Sequence, residues 1–158
     1  MKYSQYCDII LRLYITIQTG QYIMQKHTVG LMGEDIAAKY LEDLGFTVIG
    51  RRYHTGRLET DIIAVNGEYI LFTEVKTRRA LPDGAHPYGT PGDAVGAKKA
   101  ENLIAAAKEY LRTHKSETAN LQPRIDVIEV YLDPKGDEPK LLHLNHYKNA
   151  VRHRREAR

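Results

Sequence analysis

The chain has 158 residues, 42% hydrophobic and 27% charged, a balance that suits one globular domain and argues against both a disordered chain and a membrane protein. Basic residues outnumber acidic ones by 23 to 20, and a net charge of +3 is too small to mark a tight unaided binder of polyanions. The single cysteine, Cys7, excludes an internal disulfide framework and fits a reducing cytoplasm, and no stretch approaches the ~20 apolar residues of a membrane span.

Residues 1–27 read as an N-terminal extension. Ile9, Ile10, Leu11, Leu13, Ile15 and Ile17 cluster there close to four tyrosines, but Asp8 and Arg12 interrupt the run. No small-residue cleavage site follows, so a signal peptide fits poorly and Met24 is a candidate initiator. A helix is expected from about Gly30, capped by Thr28, with Ala37, Ala38, Leu41 and Leu44 as its apolar stripe and Gly45 as its stop. Glu34 falls on that stripe. It either favours the positive end of the helix or leans over a sheet.

Phe46 to Ile49 reads as a first strand, and Arg51 to His54 as the lead into a turn. Next come two runs rich in β-branched and aromatic residues, Arg57 to Val65 and Glu68 to Lys76, separated by Asn66-Gly67. That is the strongest short-range hairpin signal. A two-residue turn pairs Val65 with Glu68, Ile63 with Ile70, Asp61 with Phe72 and Glu59 with Glu74. Glu59, Asp61, Glu74 and Lys76 then share one face, with Asp61 diagonal to Glu74 at about 7–8 Å. Like charges so placed repel unless a cation sits between them, and a hard oxygen-seeking ion such as Mg²⁺ meets that need. Such carboxylates and lysines more often form a solvated ladder. Against that reading, the same face carries Ile63, Val65, Ile70 and Phe72 at its turn end.

A long loop from Thr77 to Gly92 follows, beginning with Arg78 and Arg79 and holding His86 and Tyr88. A second helix begins near Asp93–Val95 and runs through Ala100, Leu103, Ile104, Ala107 and Leu111. Lys98 and Lys99 in its first turns suit phosphate approach, though a plain solvated face is the commoner explanation for such residues. Arg124 to Tyr131 alternates like a strand, in which Asp126 is expected to pair with Arg124. Lys140 to Leu144 makes a final edge strand. The tail from Lys148 onward carries five basic residues against Glu156 alone, and residues 151–158 read as a basic C-terminal tail. The seven histidines show no zinc-ligand spacing. The order α-β-β-β-α-β-β predicts an α/β fold, a central mixed sheet flanked by helices over residues 28–150.

Taken together, Gly30-x-x-Gly33-Glu34-x-x-Ala37, Glu59-x-Asp61-x-Ile63, Phe72-x-Glu74-Val75-Lys76-x-Arg78, Ala94-Val95 leading to Lys99, and Arg124-x-Asp126-Val127 resemble the small bacterial YraN family, from about Val29 to Ala150. That family is similar to the restriction-endonuclease-like PD-(D/E)-x-K nucleases, archaeal Holliday-junction resolvases especially. Thr60 stands where the superfamily often has proline, and Leu58 where the family pattern has glycine.

The resemblance implies a restriction-endonuclease-like fold and a metal-dependent endonuclease acting on nucleic acid, DNA foremost. Catalysis would fall to Asp61, Glu74, Lys76 and Glu34. Mg²⁺ or Mn²⁺ would be held by Asp61, Glu74, the Val75 carbonyl and Glu34. Glu59 would support these residues, and Arg78, Arg79, Lys98 and Lys99 would hold the phosphate backbone. Resolvase-like folds often act as homodimers. The competing expectation is a nucleic-acid-binding adaptor in repair or recombination that keeps the fold with little turnover.

Overall fold

A computed structural model describes residues 26–79, 95–133 and 139–151, with side chains from Val29 onward and excluding that of Arg79. Residues 1–25, 80–94, 134–138 and 152–158, on which most of the expected extension, long loop and basic tail fall, lie outside the described residues. The first residues expected in the loop, Thr77 to Arg79, instead continue a strand, and residues 26 and 27 of the expected extension begin a helix.

Helix α1 (Lys26–Asp43) starts earlier than expected, so Thr28 lies inside it rather than capping it. The reason is an apolar stripe that continues upstream: Val29, Met32, Ile36 and Tyr40 pack alongside buried Ala37, Ala38 and Leu41. Gly45 ends the helix at φ +87, and the Phe46 N–H donates back to the Leu41 carbonyl at 3.1 Å.

Strand β1 (Thr47–Thr55) is one continuous strand, where a short strand and a lead-in had been expected. A bulge between Val48 and Gly50 absorbs the irregularity, and Arg52 sits at φ +47. The chain turns at Gly56 (φ +61) into β2 (Leu58–Val65), which pairs antiparallel with β1. Strand β3 (Tyr69–Arg79) pairs antiparallel with β2, but two residues away from the expected register: Val65 faces Ile70, Ile63 faces Phe72 and Ile62 faces Thr73. The cause is Asn66. Its side-chain oxygen accepts the N–H groups of Glu68 (2.9 Å) and Tyr69 (2.7 Å), while its own N–H donates to the Tyr69 carbonyl at 3.0 Å. Asn66 therefore flanks the turn, and Gly67-Glu68 form its centre. A slip of two preserves the faces.

Helix α2 (Ala97–Thr113) and the single turn α3 (Lys115–Thr118), which had no clear signal, cross over to β4 (Gln122–Asp133). Strand β4 lies parallel to β3, and β5 (Lys140–Tyr147) forms the edge. The sheet order is β1-β2-β3-β4-β5, a mixed sheet flanked by helices. Alternation sends Ile62, Ala64, Leu71, Ile128 and Val130 to the α1 side, and Ile63, Ile70, Phe72 and Val127 to meet Leu103, Ala107 and Tyr110 of α2. Removing each large buried side chain from water contributes about 1.5–3 kcal/mol.

Asp126 pairs with Arg124 as expected, and it also accepts from His146 Nε2 (2.9 Å) and the Asn149 N–H (2.7 Å). This buried carboxylate, held below its ordinary pKa by His146, Arg124 and the Asn149 amide against the cost of burial, ties the end of β5 to the sheet.

Helix α1 and β3 meet at Gly33. A Cβ built there would overlap the Thr77 hydroxyl and lie 3.0 Å from Thr77 Cβ and 3.2 Å from its methyl, so no rotation of Thr77 relieves the contact. Gly30, one turn earlier, has no described atom within 4 Å of such a Cβ. Gly33→Ala is therefore expected to cost about 1–3 kcal/mol, and Gly30→Ala to gain up to ~1 kcal/mol. Urea denaturation of the two variants checks this, and shifts of the same sign and size would refute the close approach.

Candidate functional site

The site grows from the C-terminal half of β3. Phe72, Glu74, Lys76 and Arg78 alternate onto the α2 side of the sheet, while Val75 and Thr77 face α1. The β2–β3 pairing runs as far as Ile62 and Thr73, so Asp61 and Glu74 are the next residues beyond the last pair, and the charge of Glu74 acts on Asp61.

Glu74 is 3% exposed, and two ammonium groups meet it. Lys76 Nζ donates to Oε1 at 2.6 Å. Lys99 Nζ, arriving from the first turn of α2, lies 2.8 Å from Oε2. The second contact is a close ion pair, and Glu74 stabilises the charged form of Lys99. Asp61 is fixed by its Oδ2, which accepts the Val75 N–H at 2.7 Å. Burial, followed by the charge of Glu74, pushes the Asp61 pKa up to about 7, against the pull of the Val75 N–H and Lys99. Burial would lower the pKa of Lys99, but Glu74 and Asp61 outweigh it and hold that pKa raised.

Other expected site residues find different partners. Glu34 lies well inside α1, far from its first turn, so the helix-end reading fails and the acid leans toward the sheet. Its buried Oε2 sits 4.0 Å from Arg52 Nε without a hydrogen bond, and burial raises its pKa. Glu59 accepts from Arg52 Nε at 3.3 Å on the side of β1 instead of facing Glu74, a consequence of the register slip. Arg78 Nε donates at 3.0 Å to Glu129, a buried acid that also accepts from the hydroxyls of Tyr131 (2.8 Å) and Tyr147 (3.3 Å). Lys98 is exposed and pairs with Glu101. Arg79's side chain falls outside the described residues.

The Glu129 cluster and the meeting of Lys99 with Glu74 were not read from the sequence. Only the parallel β3–β4 register, which puts Lys76 beside Glu129, and the seating of α2 bring these groups together.

Among the described residues no three His, Cys, Asp or Glu side chains converge to hold a metal ion. The pair Asp61 and Glu74 still fits one. Mg²⁺ commonly takes one or two carboxylates and completes its shell with water and substrate phosphate. Two neighbouring acids, each acting on the charge of the other, supply that donor set.

The ionised form of Asp61 is costly in this site. An unfolded carboxyl near 3.8 and a folded one near 7 mean that folding takes up a proton between those values. The contribution is complete below about pH 4 and is lost as pH rises through about 7. Asp61→Asn, whose amide oxygen can still accept the Val75 N–H and whose NH₂ can donate to Glu74, should therefore melt several degrees higher than wild type at pH 8, about 4 °C for each kcal/mol gained. The gain should fade toward pH 4. Calorimetry across that range tests it, and an unchanged or lowered melting point at pH 8 would remove the claimed repulsion.

No helix among the described residues is long and apolar enough to cross a membrane. The sequence pattern of "Uncharacterised protein family UPF0102" matches residues 33–130. A UPF0102 protein of Caldanaerobacter subterraneus is 36% identical over 127 residues, covering 80% of this chain and 97% of its own. One from Syntrophotalea carbinolica is 40% identical over 119 residues, covering 75% and 89%. Another, from Chlorobium phaeobacteroides, is 40% identical over 125 residues, covering 78% and 93%. The pattern spans Gly33, Glu34, Asp61, Glu74, Lys76 and Lys99 alike, and the chain belongs to the UPF0102 (YraN) family.

Proposed function

We propose that this protein is a metal-dependent endonuclease that hydrolyses nucleic-acid phosphodiester bonds in the cytoplasm, with structured DNA as its substrate class. The observation that carries the reading is the packing of Asp61 against Glu74 in a buried setting that raises the Asp61 pKa, with Lys76 on the same strand end. Clusters that disfavour their own charge are more common at reactive sites than elsewhere. Asp61 and Glu74 are the residues that would hold Mg²⁺ or Mn²⁺. Such an ion, when bound, polarises a phosphoryl oxygen and lowers the pKa of its water.

The chain's own groups do the remaining work. The Val75 N–H fixes the Asp61 carboxylate against rotation. Lys76 is held at the site by Glu74 and would orient the attacking water and counter the charge that develops on the phosphoryl oxygens. Glu34, half-buried beside Arg52, adds negative potential at Asp61. Lys99 and the exposed Lys98 would meet backbone phosphates, contacts that position a strand without reading its sequence.

A nucleic-acid-binding adaptor with this fold is the second reading. The observation in its favour is that lysines already meet both oxygens of Glu74, an arrangement that is self-sufficient without an ion.

Cleavage assays with Mg²⁺ or Mn²⁺ on branched, flapped and single-stranded DNA and on RNA separate the two. For the nuclease, Asp61→Asn and Lys76→Ala should each lower the rate by about 10²-fold or more while nucleic-acid binding persists. An absence of metal-dependent cleavage across that panel, with binding indifferent to EDTA, would establish the adaptor.

A further inference from the structure

We infer that Lys99 is an internal counter-ion that occupies the cation position at Glu74 and is exchanged for the divalent metal when the metal binds. The inference rests on the reading of Asp61 and Glu74 as the metal pair. It adds a role for Lys99 distinct from backbone binding.

With Asp61 ionised, as metal binding requires, Asp61 and Glu74 bring two negative charges against the two positive ones of Lys76 and Lys99. Adding a divalent cation without losing a lysine would leave two excess positive charges around a carboxylate that is 3% exposed. The departure of one ammonium relieves half of that excess.

The contacts say which one. Lys76 hydrogen-bonds Oε1 at 2.6 Å and is rooted two residues away on the same strand. Lys99 reaches Oε2 at 2.8 Å from a separate element, so its departure leaves the Lys76 contact with Oε1 intact. It also sits third in α2, where the exposed N–H groups of the helix end make a cation unfavourable. No side chain caps that end to offset the effect. Lys99 keeps 37% of its side-chain surface in solvent, so a path outward is open. Released from Glu74, its ammonium stands beside the site with a charge suited to a substrate phosphate.

The test measures metal binding without any reaction. Mn²⁺ titrated by calorimetry into wild-type protein, Lys99→Met and Lys76→Met should bind about 10-fold or more tightly to Lys99→Met than to wild type. Metal-free Lys99→Met should melt below wild type, with saturating Mn²⁺ closing most of the gap. A lysine that serves only the fold would lower the melting point equally with and without Mn²⁺ and leave affinity unchanged, which overturns the exchange. Weaker Mn²⁺ binding to Lys99→Met overturns it as well.

Should Lys99→Met not fold, ¹⁵N-lysine-labelled wild type gives the answer, with signals assigned through Lys99→Arg and Lys76→Arg. Mg²⁺ should shift the Lys99 Nζ signal and abolish its protection from exchange while Lys76 stays protected. A Lys99 signal unmoved at saturating Mg²⁺ refutes the proposal. Cleavage by wild type with Lys99 unmoved sinks the exchange and leaves the nuclease standing, and exchange without cleavage does the reverse. If Mn²⁺ binds neither wild type nor Lys99→Met, both fall.

Discussion

The buried carboxylate of Glu74 is the constraint around which this end of the molecule is arranged. A charge so nearly removed from water is tolerable only when opposite charge comes to it, because desolvation costs several kcal/mol after relaxation. Two separate elements supply that charge: Lys76 from the same strand and Lys99 from a helix that follows some twenty residues later in the chain. Meeting at Glu74 thus ties α2 to β3 electrostatically, over the apolar contact that Phe72, Leu103 and Ala107 make between the same elements. Asp61 then enters a site already organised around one acid, and its own burial, followed by that neighbouring charge, makes it reluctant to ionise.

The opposite face of the sheet contributes by closeness. Gly33 lets α1 lie against Thr77, directly behind the strand that carries Glu74 and Lys76. The same approach brings Glu34 to the sheet end, where Arg52, in a left-handed backbone conformation rare for a residue with a side chain, spans Glu34 and Glu59. A strained arginine bridging two acids beside a like-charged pair is a concentration of unfavourable local choices. Proteins tolerate these where function requires them and recover the cost in the core. Farther along the sheet, Glu129 repeats the device in milder form, receiving Arg78 and two tyrosine hydroxyls on the row that continues from Lys76.

Much of this was legible in the sequence, for reasons that lie in short-range physics. Period-two alternation marked the strands and put Asp61, Glu74 and Lys76 on one face. Helical spacing marked α1 and α2, and the element order marked a mixed sheet flanked by helices. The family of the chain was readable from ordered short motifs, and its matched relatives bear that out. Where the reading strayed, a local choice with two near-equal outcomes decided the matter. Asn66 could sit inside the turn or flank it, and its side-chain hydrogen bonds to Glu68 and Tyr69 selected the second, sliding the register by two residues. Parity survived the slip, so the face was right and the partners were wrong. Glu59 was thereby lost from Glu74 and met Arg52 instead.

By itself the sequence determined which residues carry charge, which stripes must be buried, and which acids and lysines share a side of the sheet, because these follow from periods of two and 3.6 residues along a single segment. Only the tertiary structure decided which charges meet. Lys99 and Glu74 are 25 positions apart, Arg78 and Glu129 are 51, and Asp126 and His146 are 20. Contacts of that kind depend on how a helix is seated and how two strands align, and these are settled by the packing of the whole core.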